Sequence, residues 1–223
     1  MQLYALIVAG GAGRRLGSTI PKQFLELAGK PVLMHTIERF AGYDSAIGII
    51  VVLPAGYIAH WSELCSQHLF EVPHKVVPGG SLRFFSVLNG LELIPDEGLV
   101  AIHDGVRPLV SSETIRRCFE EAGIRGNAIP AISPADSLRM LTDDSSQPVG
   151  RTLIRLIQTP QVFRAGLIKK AYLQGYHADF TDDATVLERS GEKIHIVDGN
   201  RENFKITNPE DLAIAESLLR FIS

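Results

Sequence analysis

No stretch of this chain approaches the roughly 20 consecutive apolar residues of a bilayer-spanning helix, so a membrane protein is not expected. Excess positive charge is missing too. Across 223 residues, 22 Lys and Arg stand against 25 Asp and Glu, a formal net charge of −3. That balance argues against nucleic acid or an anionic membrane as partner, and any anion site must be assembled locally. Cysteine is scarce: Cys65 and Cys118 are the two, without metal-ligand spacing around them. Both fall in helix-like stretches and read as buried thiols of a reducing compartment rather than a disulfide. Met1-Gln2-Leu3-Tyr4 lacks a basic n-region and the first apolar run is too short for a secretory signal, so a cytoplasmic protein is expected. Internal repeats and low-complexity tracts are absent.

What is present is enough apolar material, 45% of residues, for one substantial domain over residues 1–223. Continuous β-branched runs at Leu3–Ala9, Ile47–Leu53, Leu99–His103 and Ala128–Ile132, with a shorter one at Lys75–Val77, read as strands covered on both faces. Helical patterns lie between them near Val32–Phe40, Tyr57–Phe70, Ser81–Ile94 and Ser112–Gly123, with Ser81 placed to cap the third. The alternation predicts an α/β fold: a Rossmann-like, mostly parallel sheet with helices on both faces. Ligands of such sheets bind beyond the carboxyl ends of the strands.

After Pro134 the rhythm changes. Asp136–Leu141, a polar turn at Asp143-Asp144-Ser145-Ser146 and a return over Arg151–Ile157 read as a protruding β-hairpin arm at about residues 136–158. A lone hairpin is marginal in water, and a second copy of the chain is the economical partner; folding back on its own domain is the alternative. Near the end, Asn208, Pro209, Glu210 and Asp211 open a helix, and Lys205 lies just ahead on an extended piece, Phe204–Ile206.

Four constellations could carry chemistry. In the first, the initial strand runs into Ala9-Gly10-Gly11-Ala12-Gly13-Arg14-Arg15, followed by Pro21-Lys22. Bare backbone N–H groups with Arg15 and Lys22 beside them suit a triphosphate. A glycine loop after a first strand is common, but this one is neither the dinucleotide fingerprint, being one residue too long, nor a phosphate loop, lacking Gly-Lys-Ser/Thr. The second is His103-Asp104-Gly105-Val106-Arg107-Pro108, where Asp104 at a strand end could hold Mg²⁺, or a ribose hydroxyl, or simply pair with Arg107. His103 reads as a packed strand-end residue and receives no role. The third, Gly79-Gly80-Ser81-Leu82-Arg83-Phe84-Phe85-Ser86, opens a helix whose N-terminus favours polar or anionic atoms. The fourth gathers Gln158-Thr159-Pro160-Gln161, Arg151, Lys205 and Thr181-Asp182-Asp183, the last also a good helix start.

With their order and spacing, these motifs resemble the 2-C-methyl-D-erythritol 4-phosphate cytidylyltransferases, the cytidylyl branch of the sugar nucleotidyltransferases, nearly end to end. The resemblance implies CTP and a polyol phosphate as substrates, Mg²⁺ as cofactor and a homodimer joined through the arm. It implies catalytic cations at Arg15, Lys22, Arg151 and Lys205, a triphosphate cradle at Ala9, Gly10, Gly11, Ala12 and Gly13, and nucleotide contacts at Gly80, Ser81, Arg83, Ser86 and Asp104. Asp104 would lie near the metal, and Asp104, Arg107, Ser137, Arg151, Thr159 and Lys205 would receive the acceptor, with Arg151 reaching into a partner's site. Two departures stand out: Ser81 where aspartate is common, and Ser137 where threonine is usual. Neither removes the reaction. Ribitol 5-phosphate is the alternative acceptor. A non-catalytic nucleotide sensor would be expected to lack Arg15, Lys22 or Asp104, and a dehydrogenase would need an acid after the second strand, which ends Val52-Leu53-Pro54.

Overall fold

The apolar runs become strands that alternate faces. A computed structural model describes residues 1–10 and 21–222. Strands β1 (Leu3–Val8), β4 (Gly48–Leu53), β5 (Lys75–Pro78) and β6 (Leu99–Asp104) are mutually parallel, with β1 between β4 and β6, while β2 (Glu26–Leu27) and β3 (Lys30–Pro31) form a separate short antiparallel pair. Ala5, Ile7, Ile49, Val51, Leu99 and Ala101 face one layer, made by helices α1 (Val32–Tyr43), α2 (Ile58–Gln67) and α4 (Ser112–Arg125). Leu6, Ile50, Val52, Val100 and Ile102 face the other, made by α3 (Arg83–Leu91), α5 (Ala165–Tyr172) and α6 (Asp183–Arg189). A period of two splits each strand between two apolar cores, which is why these runs carry no polar alternation.

The sheet continues beyond β6 through β11 (Gln161–Arg164) to β7 (Asn127–Ile132), with β10 (Leu156–Ile157) and β12 (Ile196–Asp198) also paired to β7. Pairing of β11 is antiparallel on both sides, and so is that of β10 with β7; β12 runs parallel to β7. The expected mostly parallel sheet with helices on both faces is therefore present, with one antiparallel path inserted. Between β10 and β11 lie Gln158, Thr159 and Pro160, joined by a cis Thr159–Pro160 bond.

A third apolar cluster positions the site. Leu27, Val32, Val106, Leu109 and Ile206 pack with Ala215 and Leu219 of α7 (Pro209–Ile222). The Ile206 N–H donates to the Val106 carbonyl at 2.9 Å. The segment bearing Lys205 is thereby fastened to the loop that follows Asp104.

Some local expectations change. Helix α3 begins at Arg83, and its cap position is Leu82, extended at φ −128° and ψ 163° and without a side-chain cap, so Ser81 caps nothing. The hairpin exists as a separate two-stranded sheet, β8 (Leu138–Leu141) against β9 (Ser146–Val149), but its return strand comes earlier than expected. Arg151–Leu153 is a single tight turn, and Leu156–Ile157 joins the main sheet instead. Pro148 had hidden β9: it sits opposite Arg139 on a short two-stranded pair, where a missing N–H is tolerated. Both cysteines are free thiols, but Cys65 is half-buried, not buried like Cys118.

Candidate active site

At the carboxyl edge of the sheet the loops are tied crosswise. Gly105 N–H donates to the Val8 carbonyl at 3.0 Å, Ala9 N–H to that of Val52 at 2.9 Å and Gly79 N–H to that of Leu53 at 2.7 Å. Each bond extends the ladder past a strand end and fixes where a loop departs. Ser86, buried on the first turn of α3, braces the loop between β5 and α3. Its Oγ accepts from Gly80 N–H and donates to the Leu82 carbonyl, each at 3.1 Å. A Cβ at Gly10 or at Gly79 would come within 2.9 Å of that oxygen, so both positions need the bare backbone. Gln23, buried in the turn Lys22–Phe24, donates from Nε2 to the Ala9 carbonyl at 2.7 Å. That bond sets Lys22 beside the end of β1.

These pieces enclose a cavity of about 350 Å³ lined by Ala9, Gly10, Lys22, Gln23, Gly80, Ser81, Arg83, Ser86, Asp104 and Lys205 among others. The described nucleotide-site candidates thus meet around one space. Gly11, Ala12, Gly13 and Arg15 lie outside the described residues. A second cavity, of about 270 Å³, adjoins it and is lined by Arg107, Gln158, Thr159, Gln161, Thr181 and Asp182. Arg83, Asp104 and Lys205 line both. Asp182 also caps α6, accepting from Thr185 N–H at 2.9 Å, so the helix start and the cavity wall are the same residues.

Asp104 is the electrostatic centre. Its Oδ2 lies 3.1 Å from Arg107 Nε and 3.1 Å from Lys205 Nζ, and its Oδ1 lies 3.8 Å from Arg83 Nε. Burial alone would raise the carboxyl pKa; Lys205, Arg83 and Arg107 outweigh it and hold the group well below the usual carboxylate range. Arg107 is fixed further by donating from Nη1 to the Asn203 carbonyl at 2.8 Å.

Arg83 is also a strut. Its Nη1 and Nη2 donate to the two oxygens of the fully buried Asp183 at 2.9 and 2.6 Å, and Tyr172 O–H donates to the same carboxylate at 2.6 Å. Burial pushes the guanidinium pKa down, but Asp183 and then Asp104 raise it overall, so the charge stays. Because Arg83 is engaged in this way, it joins α3 to α6 as well as lining the cavities.

His103 is fully buried and pushed down to about 4 by that burial. Its Nε2 stands 3.1 Å from the Arg107 carbonyl and its Nδ1 3.0 Å from Thr159 Oγ1, which also accepts from Asp104 N–H at 3.1 Å. The sequence alone gives this residue no role and Gln23 none, and it marks Asp183 as part of a helix start rather than as the partner of Arg83. The one signal for Gln23 is its place directly after Lys22.

Two candidates are not brought to these cavities. Ser137 is exposed beside the hairpin, and Arg151, also exposed, donates from Nη1 to the Ala135 carbonyl at 3.0 Å. Among the described residues no group of three His, Cys, Asp or Glu side chains could hold a metal. Asp104 alone offers a carboxylate to both cavities at a strand end. That donor set suits an ion held mainly by a substrate's phosphate oxygens.

Comparison with known proteins gives a consistent answer. The family model described as 2-C-methyl-D-erythritol 4-phosphate cytidylyltransferase (IspD) matches residues 3–221. A curated protein of that name from Bacteroides thetaiotaomicron is 52% identical over 219 residues, covering 98% of this chain and 100% of its own. The crystal structure of a 4-diphosphocytidyl-2C-methyl-D-erythritol synthase from Anaerococcus prevotii superposes with a TM-score of 0.85 at 26% identity, covering 98% of this chain and 96% of its own. A 2-C-methyl-D-erythritol 4-phosphate cytidylyltransferase from Thermus thermophilus does so with a TM-score of 0.78 at 32% identity, covering 99% of this chain and 100% of its own.

Proposed function

The chain belongs to the 2-C-methyl-D-erythritol 4-phosphate cytidylyltransferase family, and from that premise we infer how its residues transfer the cytidylyl group of CTP to 2-C-methyl-D-erythritol 4-phosphate. The products are 4-diphosphocytidyl-2-C-methyl-D-erythritol and pyrophosphate, in non-mevalonate isoprenoid biosynthesis. One observation carries the assignment of residues: two adjoining cavities share a wall made by Arg83, Asp104 and Lys205. The nucleotide takes the first cavity, against Ala9, Gly10, Gly80, Ser81 and Ser86. The polyol phosphate takes the second, beside Arg107, Thr159 and Lys205.

A phosphate oxygen of the acceptor attacks the α-phosphorus of CTP in line with the departing oxygen. The new P–O bond forms as the bond to pyrophosphate breaks, and the electron pair leaves with pyrophosphate. No general base is needed, because a phosphate monoester with a second pKa of about 6 is mostly dianionic near neutrality. This agrees with a neutral, internally bonded His103 and with thiols that burial pushes up to about 11 at Cys65 and about 12 at Cys118. Protein catalysis is then positioning and charge stabilisation, supplied by Lys22 and, from outside the described residues, Arg15. Asp104 would hold a divalent cation, Mg²⁺, together with the triphosphate oxygens. When bound, that ion neutralises charge on the triphosphate.

Arg151 and Ser137 belong, on this reading, to the partner's acceptor site in a homodimer joined through the β8–β9 hairpin arm. The hairpin and the turn after it expose Met140, Leu141 and Leu153, at 57% to 86% of their surface, and the neighbouring β10 exposes Leu156 and Ile157. That apolar area supports burial against a second copy. The free thiols fit a cytoplasmic, reducing setting.

The test is pyrophosphate release with CTP and either 2-C-methyl-D-erythritol 4-phosphate or ribitol 5-phosphate at matched concentrations. The first acceptor is expected to give the higher kcat/KM, and the reverse preference would refute the acceptor assignment. In the same assay Lys22→Ala is expected to lower kcat about 10²-fold, the effect of removing one transition-state charge partner, with an unchanged melting temperature. Full activity would remove Lys22 from the mechanism.

A further inference from the structure

We propose that His103 is a positioning residue: it fixes the direction of the Thr159 hydroxyl, so that Thr159 meets the acceptor substrate as a hydrogen-bond acceptor and reads one of its hydroxyl groups. This rests on the reading that the second cavity takes the polyol phosphate.

A carbonyl cannot donate, so the 3.1 Å contact from His103 Nε2 to the Arg107 carbonyl requires the proton to be on Nε2. The other ring nitrogen, Nδ1, faces the Thr159 hydroxyl, whose oxygen already accepts from Asp104 N–H. Among the hydrogen bonds of the described residues, Nδ1 is the one acceptor that this hydroxyl proton meets. Nδ1 is therefore bare and accepts the Thr159 hydroxyl proton at 3.0 Å.

A threonine hydroxyl has one proton and two lone pairs. Here the proton goes to His103, and one lone pair accepts from Asp104 N–H at 3.1 Å. One lone pair remains for whatever enters the cavity that Thr159 lines. A phosphate oxygen brings only lone pairs of its own and is repelled there. A polyol hydroxyl brings a proton and is accepted. The phosphate end is left to the cations Arg107 and Lys205, so His103 sets which end of the acceptor faces the sheet. A buried site built to pair with a substrate hydroxyl discriminates more strongly than an apolar one.

Three measurements test this. Long-range ¹H–¹⁵N correlation on ¹⁵N-histidine-labelled protein near neutral pH, with His103 identified by its loss in His103→Asn, is expected to show Nε2 protonated and Nδ1 bare. A proton on Nδ1 overturns the proposal. His103→Leu is expected to raise KM for 2-C-methyl-D-erythritol 4-phosphate about tenfold, the loss of one oriented hydrogen bond, and to leave KM for CTP within about twofold. His103→Asn, whose amide oxygen can stand in for Nδ1, is expected to recover most of that loss. An unchanged acceptor KM in His103→Leu, a parallel rise in both KM values, or no recovery in His103→Asn overturns it. The tautomer is read without any acceptor present, so a wrongly named acceptor and a wrongly assigned hydroxyl give different results.

Discussion

Asp104→Asn is expected to lower kcat/KM for the acceptor about 10³-fold while KM for CTP stays level or falls, because removing one member of a buried charge cluster strands its partners at about 3–5 kcal/mol. The substitution keeps the shape and one accepting oxygen but removes the carboxylate that Arg83, Arg107 and Lys205 share at distances of 3.1 to 3.8 Å, leaving Arg83 its pair with Asp183. Two effects then compete. Uncompensated cations attract the triphosphate more strongly, which favours CTP binding. The same cations lose their fixed anchor, which degrades the alignment of the two substrates. Arg107 remains held by the Asn203 carbonyl at 2.8 Å, so Lys205, 41% exposed, is the group that drifts. A misplacement of about 1 Å costs on the order of 10²-fold in an alignment-limited reaction, and loss of the oxygen proposed to hold the metal adds to it. Alignment wins over attraction because the attraction acts on ground state and transition state alike. Steady-state pyrophosphate release with each substrate varied in turn makes the measurement. A loss below tenfold, or a CTP KM that rises with the acceptor KM, would show that Asp104 is not the pivot between the two cavities.

What could be seen in the sequence follows from how local each feature is. The five parallel-type strand runs and four helices were legible because two-face burial writes itself as continuous β-branched stretches and 3.6-residue stripes. Asp104 was legible because it ends such a run. The antiparallel β11 has four residues, Gln161–Arg164, too few for any period to register. It matters nonetheless: its insertion between β6 and β7 brings Thr159 to within hydrogen-bond reach of His103 and Asp104. The same holds for partners far apart in the chain. Arg83 and Asp183 are 100 residues apart, and Asp183 looked like an ordinary helix-start acid. Resemblance suggested the roles of Lys205 and Thr159, which spacing alone could not; the rough alternation over Arg151–Ile157 misplaced the arm's return strand, because Pro148 hides a strand in an otherwise polar turn.

The Arg83–Asp183 pair carries the largest expected effect on stability. Asp183→Ala is expected to lower the unfolding free energy by about 3 kcal/mol, the low end of the roughly 3–5 kcal/mol for breaking a buried ion pair. The low end applies because the Arg83 side chain is 31% exposed and can be partly hydrated once its partner is gone, whereas Asp183 itself is fully buried. Three donors lose an acceptor together: Nη1 and Nη2 of Arg83 and the phenol of Tyr172. Tyr172 stacks on Phe84 at 4.5 Å between ring centres, so its hydroxyl cannot turn away without disturbing the core that α3 and α5 share. Asp183→Asn should fall between wild type and alanine, since the amide keeps one accepting oxygen. Removing both charges together, in Arg83→Met with Asp183→Leu, should recover part of the loss, because no stranded charge remains. Urea unfolding followed by circular dichroism gives each value from the midpoint at constant slope. A single-site loss under 1 kcal/mol, or a double variant less stable than the sum of its singles, would mean that the pair is an incidental contact and not the strut that holds α6, with Thr181 and Asp182, against the wall of the second cavity.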